Sequence, residues 1–162
     1  MKRYPLHTLL RLREHRTESA RRLVLDRRRM VQACRDACTA IEGEIAALQS
    51  ERDEQRNRLL DTPPPGVPWP AVLAQREAHI DLLGEQRVTA QQRLTQAQQK
   101  LREAQQALDE ARAAYLRAKA RQEALEKRRD LWGSEQRALE VRQEELATAD
   151  LMRARRVHTD RL

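Results

Sequence analysis

The sequence predicts an all-α fold in which two long helices form an antiparallel coiled-coil hairpin with a C-terminal helical extension. Three observations carry this. The first is composition: 32 Lys and Arg, 25 Asp and Glu, and only four aromatics, Tyr4, Trp69, Tyr115 and Trp132, among 162 residues. Val, Ile, Tyr and Trp together number 14, too few for a buried sheet, whereas Ala (23), Leu (22) and Arg (28) dominate as they do in long helices. A chain this polar lines a seam with its apolar residues rather than filling a globule. The second is the string DTPPPGVPWP, which holds five of the six prolines and cannot continue a helix. The third is a sustained seven-residue apolar spacing after that break.

Each element follows in order, and together they make a single elongated domain over residues 1–162. Pro5 suits a first helical turn, and residues 6–60 contain no further proline and one glycine, Gly43, so a helix is expected over 6–60. Its apolar positions run Leu9, Leu23, Met30, Cys34, Ala37 or Cys38, Ile41, Ile45, Leu48 and Leu59, interrupted by Arg16, Arg27, Arg52 and Gln55. Residues 61–70 form the hinge. A ten-residue break can reverse the chain but cannot bridge two parallel helices of this length.

The second helix is expected over 71–156. Leu73, Ile80, Leu94, Leu101, Leu108 and Tyr115 share one heptad position, interrupted by Arg87. The position three residues on reads Leu83, then Ala90, Ala97, Ala104, Ala111 and Ala118, then Leu125, Trp132, Leu139 and Leu146. From residue 122 the first column turns polar, with Gln122, Arg129, Gln136 and Gln143, so the terminal stretch is read as an extension without a partner in the chain. Folding about residue 66 sets Leu59 against Leu73, Leu48 against Gly84 and Tyr4 against Arg128, with about 30 residues overhanging. A competing arrangement breaks the second helix near Gly84 and pairs the two termini.

No enzyme motif emerges. There is no phosphate-cradling glycine loop, no HExxH, and no nucleophile placed with histidine and acid. His7, His15, His79 and His158 are scattered, and Cys34 and Cys38 lie one turn apart without a nearby histidine, so no metal site and no cofactor are expected. No apolar run reaches the length needed to span a bilayer, which with the reduced cysteines suggests a cytoplasmic protein.

The net charge of +7 is uneven: residues 1–30 hold ten basic and three acidic side chains. Such an end attracts acidic partners of any class. Arg11, Arg13, Arg16, Arg21, Arg22 and Arg27 to Arg29 superficially suggest the basic arm of a zipper factor, but no regular leucine heptad follows and no Asn is placed to read a base. A generic coiled-coil scaffold, a nonspecific nucleic-acid-associated protein using the basic helix, and a holdase with an exposed stripe are the alternatives from other classes.

The N-terminal string PLHTLLRLREHRTESARRL, the central break ending in Trp69 with Leu73 and Ile80 after it, and the charged helix RQEALEKRRDLWGSEQRALEVRQEEL resemble the type III secretion central-stalk family. That family comprises the YscO-like stalk of the injectisome and the FliJ-like stalk of flagellar export. The PPP run and the long alanine column depart from its pattern. The resemblance implies a non-enzymatic stalk that enters the pore of the hexameric secretion ATPase, links it to the export-gate protein, and binds secretion chaperones at the cytoplasmic side of the inner-membrane export apparatus. In the matched strings, Leu9, Leu12, Arg13, Arg16, Arg21, Trp132, Leu139 and Leu146 are the candidate ATPase-binding residues. The bland alternative pairs Leu9, Leu139 and Leu146 with one another or with Leu23. Trp69 is either a cap on the hairpin turn or a contact for the export gate.

Overall fold

A computed structural model describes residues 3–159, with side chains to residue 156. Two helices account for it, α1 (His7–Asn57) and α2 (Trp69–Thr159), and no strand occurs among the described residues. The fold is thus all-α, and in each of its two compact units a part of α1 runs antiparallel to a part of α2. One unit comprises residues 1–22 and 112–162, the other residues 23–111.

In the unit of residues 23–111, the chain between the helices shows why each stops and starts. Past Asn57 the α1 ladder tightens, with Leu59 N–H bonding Arg56 O at 3.2 Å and Asp61 N–H bonding Arg58 O at 3.1 Å. Pro63 to Pro65 then supply no amide donors. Val67 N–H reaches back to Pro64 O at 3.4 Å across a turn whose third residue is Gly66. Gly66 has φ +84°, the left-handed value that such a type II turn requires and that only glycine adopts without strain. Pro68 O receives the amides of Ala71 (3.1 Å) and Val72 (3.3 Å), and Pro70 sits in the first turn of α2, where its missing N–H costs nothing.

The seam of this unit is built from two facing sets of heptad positions. On α1 they are Val24, Val31 and Cys38, continued by half-buried Ile45, and on α2 Ile80, Leu83, Ala90, Ala104, Leu108 and Ala111. Both α2 columns read from the sequence are the ones that face inward. On α1 the expected column is corrected by one residue. Leu23 and Met30 are 43% and 53% exposed, whereas Val24 and Val31 are 7% and 4% exposed. The helix carries two adjacent apolar columns, and the buried one keeps seven-residue steps to Cys38, Ile45 and Leu59, which the other does not.

The pairing is also corrected, by one helical turn. Gly84 lies against Arg52 rather than Leu48, Arg87 donates to Gln49 Oε1, and Arg93 forms a bidentate pair with Glu44. Polar groups within or beside the seam select this register, because the alanine column packs equally well at several offsets. The competing arrangement is excluded, since α2 runs unbroken through Gly84.

Candidate functional site

Among the described residues no cluster of His, Cys, Asp or Glu able to hold a metal occurs. No described helix is long and apolar enough to cross a membrane. The features that can act are surfaces, and they fall on different units.

The unit of residues 1–22 and 112–162 contains all eight residues singled out from the N- and C-terminal strings. Its paired part is anchored by Leu10, which is buried, and by Tyr4 against Trp132, with ring centroids 5.5 Å apart and planes at 57°. That tilted geometry suits the ring quadrupoles. The expected partner of Tyr4, Arg128, is therefore replaced by Trp132, again one turn further along α2. Trp132 is half-buried and holds the end of the seam.

Leu9 and Leu12 are 37% and 45% exposed, each one residue before an inward-facing position, Leu10 and Arg13 respectively. Leu9 is thus corrected from seam to flank, for the same reason as Leu23 and Met30. Leu9, Leu12 and Arg16, spaced three and four apart, share one exposed face of α1. Arg13 is half-buried. Arg21 is exposed and forked onto the Glu18 carboxylate at 2.9 and 3.1 Å, with Arg22 Nε 3.3 Å from the same group. The Arg21 hydrogen bond holds the Glu18 carboxyl below the usual carboxylate range, partly opposed by desolvation and aided by Arg22, and Glu18 in turn raises Arg21.

Beyond Trp132 the column continues outward as Leu139 and Leu146, 47% and 66% exposed. Every residue from 137 to 156 is exposed, so this stretch of α2 has no covering helix among the described residues.

Charge follows the units. Residues 1–22 and 112–162 hold 20 Lys and Arg against 11 Asp and Glu, a net +9, whereas residues 23–111 hold 12 against 14, a net −2. The sequence reading located the excess in residues 1–30 but missed residues 112–136, which add seven basic to four acidic side chains. Only knowing which stretches pair could have revealed that sum.

Trp69, in the other unit, opens α2 and is half-buried. The Arg76 guanidinium lies 5.9 Å from its ring centroid, and Arg76 Nη1 donates to the carbonyls of Arg58 (3.3 Å), Leu59 (3.0 Å) and Asp61 (2.7 Å). One cation thus satisfies the carbonyls left open at the end of α1 and stacks on the first residue of α2. Sequence reasoning missed Arg76 because it occupies an ordinary heptad position. Beside this clamp, Leu60 and Val67 are exposed.

A search among curated proteins finds no match. Among solved structures, CT670 from Chlamydia trachomatis, a proposed YscO homolog, matches over 100% of both chains with a TM-score of 0.79 and 18% identity, a likeness of fold. The family model described as YscO-like protein matches residues 1–156. With nearly the whole chain matched and the two-helix architecture shared, the chain belongs to the YscO-like family of type III secretion stalk proteins.

Proposed function

We propose that the protein is a non-enzymatic central stalk that enters the hexameric secretion ATPase with its residue 1–22 and 112–162 unit. The observation that carries this reading is that the +9 charge, the exposed leucines and the uncovered end of α2 belong to one unit. A basic surface with apolar side chains set among the arginines suits a ring lined with acidic and apolar groups, and the arginines speed and orient encounter while Leu9, Leu12, Leu139 and Leu146 supply contact. Arg13, Arg16 and Arg21 act by charge, and Trp132 acts by fixing where the paired part ends. Arg16 has the freest reach of the three, since Arg21 shares Glu18 and Arg13 is half-buried.

At the hinge, Trp69 serves as the cap on the turn, and Leu60 and Val67 beside it form the apolar surface offered to the export-gate protein. Secretion chaperones are further partners, and the site of action is the cytoplasmic side of the inner-membrane export apparatus.

The test replaces Arg13, Arg16 and Arg21 with Glu and titrates the chain into its cognate secretion ATPase, recording hydrolysis, ring mass and helicity. Stimulated hydrolysis by the unaltered chain, lost in the variant at unchanged helicity, is the expected result. Intact association removes the charge argument. Absence of any ATPase effect, together with salt-sensitive DNA binding, replaces the stalk by a nucleic-acid-associated protein.

A further inference from the structure

In the unit of residues 23–111, α1 carries a row of three sulfur-bearing side chains that play no part in the stalk. Met30, Cys34 and Cys38 follow one another at intervals of four residues. Such a row is inclined to the helix axis, so it crosses from the flank of α1 into the seam. Exposure falls along it: Met30 is 53% exposed, Cys34 is half-buried and Cys38 is 7% exposed. The row thus leads from solvent to the interior. Neither thiol makes a hydrogen bond among the described residues.

The spacing limits what the two thiols can hold. Residues four apart on a helix set their Cβ atoms about 5–6 Å apart. A disulfide needs about 3.5–4.5 Å between Cβ atoms, so a regular helix keeps Cys34 and Cys38 as free thiols. Two metal–sulfur bonds of about 2.3 Å each span roughly 4.6 Å between sulfurs, a separation that neighbouring turns provide.

The surroundings select the ion. The Arg87–Gln49 and Arg93–Glu44 contacts set the register, which places Ala97, Leu101 and Ala104 across the seam from the pair. No group of three or more His, Cys, Asp or Glu able to hold a metal occurs among the described residues, so neither the four-ligand set of zinc nor the oxygen shell of calcium or magnesium is supplied. Two thiolates in an apolar setting suit a soft ion of low coordination number, and soft sulfur ligands select Cu(I).

We propose that Cys34 and Cys38 bind Cu(I) as a two-coordinate bis-thiolate site, with Met30 as the thioether at which the ion enters. Both S–H bonds break, two Cu–S bonds form, two protons pass to water, and copper stays Cu(I) throughout. Binding therefore tightens as pH rises. The site carries one negative charge, which half-buried Cys34 leaves in contact with water.

Anaerobic competition of the reduced full chain with the Cu(I)–bicinchoninate complex tests the proposal, read by loss of the chelator's colour, with sedimentation equilibrium to follow the mass. The unaltered chain should take one Cu(I) per chain at a mass that copper does not change. Cys34→Ala and Cys38→Ala each abolish the uptake, and Met30→Leu keeps the stoichiometry but slows transfer from the chelator. Cys38→Ala with Ala40→Cys retains two thiols on different faces of α1, and it too loses the uptake. Circular dichroism shows all variants equally helical. No uptake by the unaltered chain overturns the proposal, as does uptake that survives separation of the thiols, which would be adventitious capture by any two thiols. A copper-dependent doubling of mass overturns it by assigning the ion to a bridge between chains, and an unchanged transfer rate in Met30→Leu overturns the entry role. None of these readouts involves the ATPase, so the result is independent of the stalk reading.

Discussion

Arg52 lays its guanidinium across Gly84, with Cζ 3.2 Å and Nη2 3.3 Å from the point where a Gly84 Cβ would stand. Arg52 occupies the seam column between Ile45 and Leu59, and its Nε is buried without a hydrogen-bond partner. Gly84 makes that tolerable by letting the flat cation lie against helix backbone. An alanine at a helix interior ordinarily gains about 1 kcal/mol over glycine. Gly43 has nothing within 4 Å, so Gly43→Ala realises that gain, whereas at Gly84 the guanidinium must first yield by a few tenths of an ångström. Urea denaturation should therefore rank Gly43→Ala above Gly84→Ala, with Gly84→Leu destabilised by displacement of Arg52. Equal gains for the two alanines would mean that the contact has no energetic consequence.

Arg52→Leu tests the other side of that relationship. It removes an orphaned buried donor and restores an apolar residue to the column, so stability should rise by about 1 kcal/mol or more. The cost is register, because a polar seam group penalises misaligned pairings. With Cys34 and Cys38 changed to Ala, cysteine pairs placed in separate chains at 45 and 90 and at 41 and 90 report the register by disulfide trapping. The unaltered seam should cross-link the first pair in preference to the second, and Arg52→Leu should narrow that preference.

The proline run made the break legible, and apolar spacing made the helices and both α2 columns legible, since that spacing is the same quantity that drives the packing. It did not make the register legible. A column of small alanines does not by itself separate Leu48 against Gly84 from Arg52 against Gly84, and the choice lies with Arg52, Arg87 and Arg93, whose partners are a glycine, a glutamine and a glutamate rather than leucines. On α1, Leu9, Leu23 and Met30 compete with Leu10, Val24 and Val31 for the seam, and two such columns one residue apart are ambiguous until the second helix is in place. The candidate site was legible as a set of residues, yet its +9 charge emerged only when residues 112–136 were joined to the N-terminal stretch.

Arg76 is a single side chain holding three carbonyls at the end of α1 and the face of Trp69. Arg76→Ala leaves those carbonyls to solvent and should destabilise the chain by about 1–3 kcal/mol, the range for hydrogen bonds to a charged group. Arg76→Lys should recover little of this, since an ammonium lacks the planar fork that reaches the carbonyls while stacking on the indole. Trp69 fluorescence in a Trp132→Phe background is the readout: a red shift in both variants is expected, and an unchanged spectrum in Arg76→Ala would sink the clamp.

Tyr4 packs on Trp132, but its hydroxyl is buried with no hydrogen-bond partner among the described residues. The ring and the hydroxyl therefore oppose each other. Tyr4→Phe keeps the aromatic pair and deletes the orphaned group, so thermal unfolding should be unchanged or slightly raised. Tyr4→Ala removes the pair as well and should cost about 1 kcal/mol or more, the scale of one aromatic contact with its buried area. A clear loss in Tyr4→Phe would show that the hydroxyl has a partner in solution.

The Glu18 carboxylate, held low chiefly by the Arg21 hydrogen bond and also by Arg22, gives the same unit a pH signature. A carboxyl depressed in the folded state contributes stability above its unfolded value, and that contribution disappears as pH falls through the folded value. Glu18→Gln keeps the side-chain shape and removes the titration. At pH 7 the variant should melt slightly below the unaltered chain, because exposed pairs one turn apart are individually weak. Once the pH falls below the depressed folded value of Glu18, the two melting curves should coincide. The same series in 1 M salt should shrink the pH 7 difference without moving the acid limit, since screening weakens the ion pairs and leaves a protonated carboxyl unaffected. A melting difference that persists at acid pH would assign the effect of Glu18 to packing on α1 and release Arg21 as a free cation for the partner surface.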